Sequence, residues 1–554
     1  MTERERKQQT AEFWPDNETR SRFQRIEKPG KPRRPGRLLT VTKALLLLAI
    51  MAAIAYGSLN SGSFGEIRWL PIAIGSFAVL AMTLFIKGFY SDVPPVAWLL
   101  AAALAVLAAT KGLSMTWTLS QTETILETIR TSMYLSFFLV AVAALSSGRQ
   151  VGPMMDIAVL IVAAIAGYGL LQKIYPLEYP VLSLDGVRMD STLGYSNTTA
   201  LVVGMGVALA LSRMTQSSGW ILRAVYAPLA VGFITALYLT VSRGGIGSLI
   251  IALAVLLVLS GKRLQMFMNL LLLSAPAGWL LWRMQSLDGL LGSQTPEGQR
   301  TADGLALRDD LIIAFIAAFI LQLAYTFVVK RYELMPLGRK VLGVGILASG
   351  ALTAAAGAIF AVVRFGGPAS IFEALTGNPI LTDDGASRLL SLSIGFRTDY
   401  WSIAWDYWMN HLLTGSGAGT FSFVWLQNRP VNSSVQQVHN VYLEQGVETG
   451  LVAFLALIVF TAVLVGYTAR AAWNSRGDRR ILLAGLLAAS LVYLISSAIE
   501  WHWYIPPSTI FFFVIAAITA KLAAMPEWLA PEPGAEKDAE PEPRPEPEAK
   551  PEET

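Results

Sequence analysis

The chain contains no cysteine and only three histidines, His411, His439 and His502. Without thiols there is no disulfide framework, no thiolate nucleophile and no Cys-based zinc or iron–sulfur site. The histidines lack the paired spacing of a metal site and no Asp-x-Asp motif occurs, so neither a metal nor a cofactor is expected. Charge is scarce as well. Only 15% of residues are charged and 54% are hydrophobic, against roughly 25% and about 45–50% in a soluble domain. These shortages rule out a soluble enzyme, a secreted disulfide domain and a DNA-binding protein.

What the chain has instead is long apolar runs, such as Thr40–Tyr56, Trp69–Ile86 and Ile481–Ile499. Runs of about 20 apolar residues cross most or all of a hydrocarbon core roughly 30 Å thick. Span starts are expected near residues 40, 69, 95, 131, 154, 196, 222, 245, 264, 311, 341, 447, 481 and 506. Thr116–Arg130, just before the span near Thr131, reads as a possible re-entrant or interfacial piece. Arg149, Arg213, Arg223, Lys262, Arg263, Lys330, Arg331, Arg470, Arg476, Arg479 and Arg480 fall in loops on one side with the basic N-terminus, which makes both termini cytoplasmic. The fold class expected is all-α, a polytopic membrane helix bundle of about 12–14 spans with a long, partly helical extracytoplasmic loop.

The divisions follow from composition. Residues 1–37 read as a disordered basic arm touching anionic lipid, and 38–363 as the first eleven spans. Residues 364–446 form the outer loop, 447–524 hold the last three spans, and 525–554 are a disordered acidic tail rich in Pro and Glu. The arm is charged and precedes a full-length span, so no cleavable signal peptide is expected. The tail carries ten acids against three bases, leaving a basic excess elsewhere that belongs to helix-flanking loops and implies no nucleic-acid partner.

The outer loop is aromatic in a way disordered loops are not, and reads as a small folded cap. Within it, Arg397–Leu412 places Trp401, Trp405, Trp408 and Leu412 on one helical stripe. Such a stripe suits an interfacial helix, and its rings also suit stacking on sugar faces. Thr414–Thr420 (TGSGAGT) reads as a turn permitting close backbone approach, not as a nucleotide fingerprint. His439, in Val438-His-Asn-Val-Tyr-Leu-Glu444, is either structural or a base suited to a sugar hydroxyl near neutral pH. Arg243 lies in a Ser-Arg-Gly-Gly hairpin on the outer side, where charge rules disfavour arginine and a pyrophosphate would suit it. Gly194–Thr199 (GYSNTT) is expected to start a helix with Ser or Asn as the cap.

Taken in order, Ser242-Arg-Gly244, Arg397 with Trp401, Leu413–Phe421, His439–Glu444 and the Gly450-Leu-Val helix entry resemble the O-antigen ligase and polymerase superfamily of polytopic glycosyltransferases. The resemblance covers roughly residues 40–525 and is strongest over 190–245 and 395–455. It implies an enzyme in the inner (plasma) membrane, acting on its outer face. The donor implied is an undecaprenyl-pyrophosphate-linked glycan, and the acceptor a glycan, a lipid or a protein. It further implies pyrophosphate binding by Arg243 and Arg397, a base at His439, substrate contacts from Trp401, Asn440 and Glu444, and metal-independent inverting transfer. Two rivals remain: a polytopic transporter, disfavoured because few ionisable residues lie mid-span, where a coupling site would be expected, and a polysaccharide repeat-unit polymerase.

Overall fold

The computed structural model describes residues 37–182, 186–216, 219–292, 294–331, 397–430 and 432–525. The expected basic arm, the acidic tail, the span near residue 341 and the first part of the outer loop lie outside these residues. Every long element described is a helix: α1 Arg37–Leu59, α2 Glu66–Leu84, α3 Pro95–Leu113, α4 Gln121–Ala144, α5 Val151–Ile174, α6 Ser196–Thr215, α7 Trp220–Leu239, α8 Arg243–Leu259, α9 Arg263–Met284, α10 Glu297–Arg331, α11 Arg397–Asn410, α12 Phe421–Asn428, α13 Val441–Asn474, α14 Gly477–Ser496 and α15 Pro506–Ala524. Among the described residues twelve helices are long and apolar enough to cross a membrane. The chain is an all-helical, multi-pass membrane protein.

Thirteen of the fourteen expected runs coincide with a helix. The run near residue 245 is shorter than a full span: α8 has 17 residues, about 26 Å at 1.5 Å per residue. The piece before Thr131 is not a separate re-entrant segment. Gln121–Ala144 is one continuous helix, because Glu127 and Arg130, which looked too polar to enter the bundle, pair with each other inside it.

Burial sorts the bundle. The whole of α6 is buried, and nearly all of α15, so these two form the centre. By contrast α1 and α2 keep leucine, isoleucine and methionine side chains facing outward, as lipid-facing helices do. Small residues let the central helices meet: a Cβ on Gly485 of α14 would lie 2.3 Å from the Ser212 side chain of α6. At one end of the bundle Arg213 pairs with Asp156 and Lys262 with Asp478, the end the positive loops mark as cytoplasmic.

At the opposite end α13 breaks. Gly450 has φ +77°, and the ladder there is interrupted. Unpaired backbone groups are costly inside a membrane protein unless other protein atoms satisfy them. The Thr414–Thr420 turn does so: Ser416 N–H donates to Val447 O (3.0 Å) and Gly417 N–H to Glu448 O (2.7 Å), while Leu451 N–H donates to Leu412 O (2.8 Å). The turn lies against backbone closely, as its glycines suggested. It staples the outer cap to the broken helix.

Candidate functional site at the outer helix ends

Five elements converge there: the 186–195 loop with the start of α6, the 240–243 hairpin, α11, the turn before α13, and residues 497–505 between α14 and α15. Their meeting point is Glu500, which is only 5% exposed. One of its oxygens pairs with the Arg397 guanidinium and accepts from the Asn197 amide at 2.7 Å. The other accepts from the Tyr195 hydroxyl at 2.7 Å. Arg397 is further held by Ile499 O, which accepts from its Nε at 2.9 Å. Asn197 also accepts from Arg188, whose Nε donates to Thr240 O at 2.8 Å. Burial raises the Glu500 carboxyl, but Arg397, His439 and His502, with the Tyr195 bond, outweigh it and hold it below the usual carboxylate range.

The expected Ser or Asn cap at 194–199 is absent. Tyr195 occupies the N-cap position of α6 without a side-chain capping bond, because Asn197 turns instead to Glu500, Tyr195 and Arg188. A polar side chain at a helix start, read from sequence as local capping, here serves a tertiary network.

His439 lies on the turn before α13, its ring facing Trp501, the residue after Glu500. Its backbone is left-handed, with φ +59°, a conformation in which His is enriched among non-glycine residues. Nδ1 lies 3.0 Å from Gln437 O. A carbonyl there can only accept, so Nδ1 carries the proton and Nε2 keeps its lone pair in the neutral ring. The ring contacts Tyr400 at 5.5 Å and Trp501 at 6.4 Å between centroids. Burial lowers its pKa below 6.5; Arg397 adds to that, while Glu500 and the Gln437 carbonyl oppose it. His502, by contrast, is fully buried, with Thr198 Oγ1 at 2.8 Å from Nδ1 and Ser496 Oγ at 2.8 Å from Nε2.

The remaining expected site residues fall around these two. Asn440 caps α13, its side-chain oxygen accepting from Tyr442 N–H and Leu443 N–H at 3.1 Å. Glu444 is buried and accepts from Val438 N–H at 3.0 Å. It therefore braces the turn that carries His439 through the backbone. Arg243 opens α8 behind the Ser242 cap, and the adjoining Gly244 abuts Ile499 so closely that a Cβ would lie 2.5 Å away. The Arg243 hairpin is thus seated on the segment that presents Glu500. The tryptophan stripe does not stay on one surface. Trp408 is buried against Phe454, Trp405 is exposed, and Trp401 is half-buried with an indole N–H that has no hydrogen-bond partner among the described residues.

Sequence reasoning missed Glu500, Tyr195, Asn197 and Arg188. The available signal was an acidic residue, Glu500, in an otherwise apolar stretch, which marks a site hypothesis by itself. It also missed a second buried group. Lys111 pairs with Glu127 at 3.1 Å, and Arg130 lies over the Trp69 and Tyr504 rings. Glu448 accepts from Gly419 N–H and Phe421 N–H at 2.8 and 3.2 Å. These charges lie toward the helix ends, not mid-span. Lys111, Glu127, Arg130, Glu444 and Glu448 are all buried, toward the outer ends, where partners within the bundle offset their desolvation. Among the described residues no group of three or more His, Asp or Glu is placed to hold a metal ion.

Residues 312–458 match the O-antigen ligase family model. The resemblance stands over that segment. It takes in Arg397, Trp401, His439, Asn440 and Glu444, and leaves Arg188, Asn197, Arg243 and Glu500 to the tertiary structure. A search of the curated proteins found no match.

Proposed function

We propose that this chain is an O-antigen ligase-like glycosyltransferase of the inner (plasma) membrane, working on its outer face. It transfers a glycan from an undecaprenyl-pyrophosphate donor to a hydroxyl of a glycan, lipid or protein acceptor, with inversion and without a metal. The observation that carries this reading is that Arg397 and His439, both inside the matched segment, come to one segment at the outer helix ends, Arg397 pairing with the nearly buried Glu500 and the His439 ring meeting the adjoining Trp501.

The chemistry follows from the atoms present. Nε2 of His439 takes the proton of the acceptor hydroxyl as its oxygen attacks the anomeric carbon. The bond from that carbon to the pyrophosphate oxygen breaks, and undecaprenyl pyrophosphate leaves with the electron pair. Arg243 and Arg397 offset the negative charge gained by the leaving group. Donors already in place contribute about 3 kcal/mol each in comparable sites. The planar guanidinium fork grips two oxygens where an ammonium meets one.

The test is transfer from purified lipid-linked donor. Arg243→Ala and Arg397→Ala should weaken donor binding as well as turnover, and lysine should rescue poorly. Native donor binding in both variants would overturn the pyrophosphate assignment. Glycan size profiles of a deletion strain then separate the acceptors: long chains left on the carrier indicate a ligase, single repeat units attached to the acceptor a polymerase.

A further inference from the structure

Glu500 lies beyond the matched segment and between spans, yet its carboxylate bonds three side chains of the site, Arg397, Asn197 and Tyr195. The next residue, Trp501, meets the His439 ring at 6.4 Å between centroids, which brings the carboxylate's segment up to the base as well as to the guanidinium.

We propose that Glu500 is a positioning residue of the transfer reaction, which fixes the plane of the Arg397 guanidinium for the donor pyrophosphate and stabilises the imidazolium that His439 becomes when it takes the acceptor proton. The proposal rests on the function proposed above. The groups facing His439 are Arg397 and Tyr400 from α11, Trp501 and Glu500 from the 497–505 segment, and the Gln437 carbonyl. Beyond Glu500 stands His502, held neutral between Thr198 and Ser496. Burial and Arg397 both oppose protonation of His439, and Glu500 is the carboxylate among these groups that favours it. In a site shielded from water such a charge acts strongly. Arg397 is oriented by the same carboxylate at one nitrogen and by Ile499 O at another, so the fork is set before the donor arrives.

Glu500→Gln keeps the shape and removes the charge. We expect turnover to fall on the order of 10- to 100-fold, less than the roughly 10²–10⁴-fold range for loss of a general base. Donor KM should change less than kcat. The acid limb of the pH–rate profile should move to lower pH, because the neighbour that raises the His439 pKa has gone. Glu500→Asp, which retains the charge, should return the limb toward its native position. An unmoved acid limb in a folded Glu500→Gln protein, or a change in donor KM alone, overturns the proposal. Should Glu500→Gln fail to fold, Glu500→Asp carries the test, because its shorter reach to Arg397 should lower kcat and a native kcat overturns the proposal. A His439 variant measured alongside keeps the two readings apart. If it retains near-native turnover the base assignment of the proposed function fails, whereas its loss with an unmoved limb in Glu500→Gln sinks only the role of Glu500.

Discussion

His439 carries two burdens, a left-handed backbone at φ +59° and the chemistry assigned to its ring. Alanine removes the ring but also pays about 1–2 kcal/mol for that conformation. Asparagine adopts it readily, so His439→Asn is the cleaner variant. It should fold and melt as the native protein does, bind donor normally, and lose turnover by roughly 10²–10⁴-fold. Near-native turnover would move the base assignment to Glu444 or Asp399. His502 makes a different prediction. Burial pushes its pKa down to about 4 from 6.5, so the unfolded chain binds a proton there that the folded protein refuses. Its contribution to stability is complete above 6.5 and is lost as pH falls through 4. Melting temperatures followed across that window should fall with acidification, and His502→Gln should lessen the slope. The resemblance set His439 apart from His502 in the sequence, and their neighbours show why the two rings differ: one keeps a lone pair to spare, the other is bonded at both nitrogens.

For the elements, the consequential one is α13, whose break at Gly450 is joined to the Thr414–Thr420 turn. Gly417 sits at φ +104° with Thr118 where a Cβ would be. Gly417→Ala should destabilise the cap by more than about 1 kcal/mol, since an incompatible backbone costs more than a compatible one gains. Gly466, further along α13, has nothing among the described residues within 4 Å of its Cβ position. Gly466→Ala should be neutral or stabilising by up to about 1 kcal/mol. Thermal melting of the two variants in detergent checks the contrast; equal destabilisation would refute the staple. The helical stripe of Arg397–Leu412 was legible from its spacing, and a helix forms over Arg397–Asn410. Its burial was not legible. Trp408 is covered by α13, a partner distant in sequence, while Trp405 stays half exposed.

For the whole molecule, the lack of native cysteine turns into a tool, because each introduced thiol reports alone. A membrane-impermeant maleimide applied to intact cells should label Gln436→Cys, beside the His439 turn. Arg263→Cys and Arg476→Cys should stay unlabelled until the cells are opened. The reverse pattern would put the Arg397–His439–Glu500 group in the wrong compartment for a donor on the outer face. Transfer should also survive EDTA, because the reading asks guanidiniums to carry the leaving-group charge. Loss on chelation with rescue by Mg²⁺ would replace that mechanism with a metal-assisted one.

The resemblance named Arg243, Arg397 and His439 as expected site residues; the amino-acid sequence alone determined that this is a helical membrane protein, where most spans lie and which loops are basic. Those features are one-dimensional: hydrophobic length must match a bilayer, and charge asymmetry is counted loop by loop. The tertiary structure decided what those residues face. Glu500 is 103 positions from Arg397, and 303 from Asn197, and no local periodicity links them. Whether a buried polar side chain caps its own helix, as Asn197 was expected to, or completes a distant site depends on which helices pack together. That choice is made by shape and by the need to pair every buried charge, and it becomes visible only when the bundle is assembled.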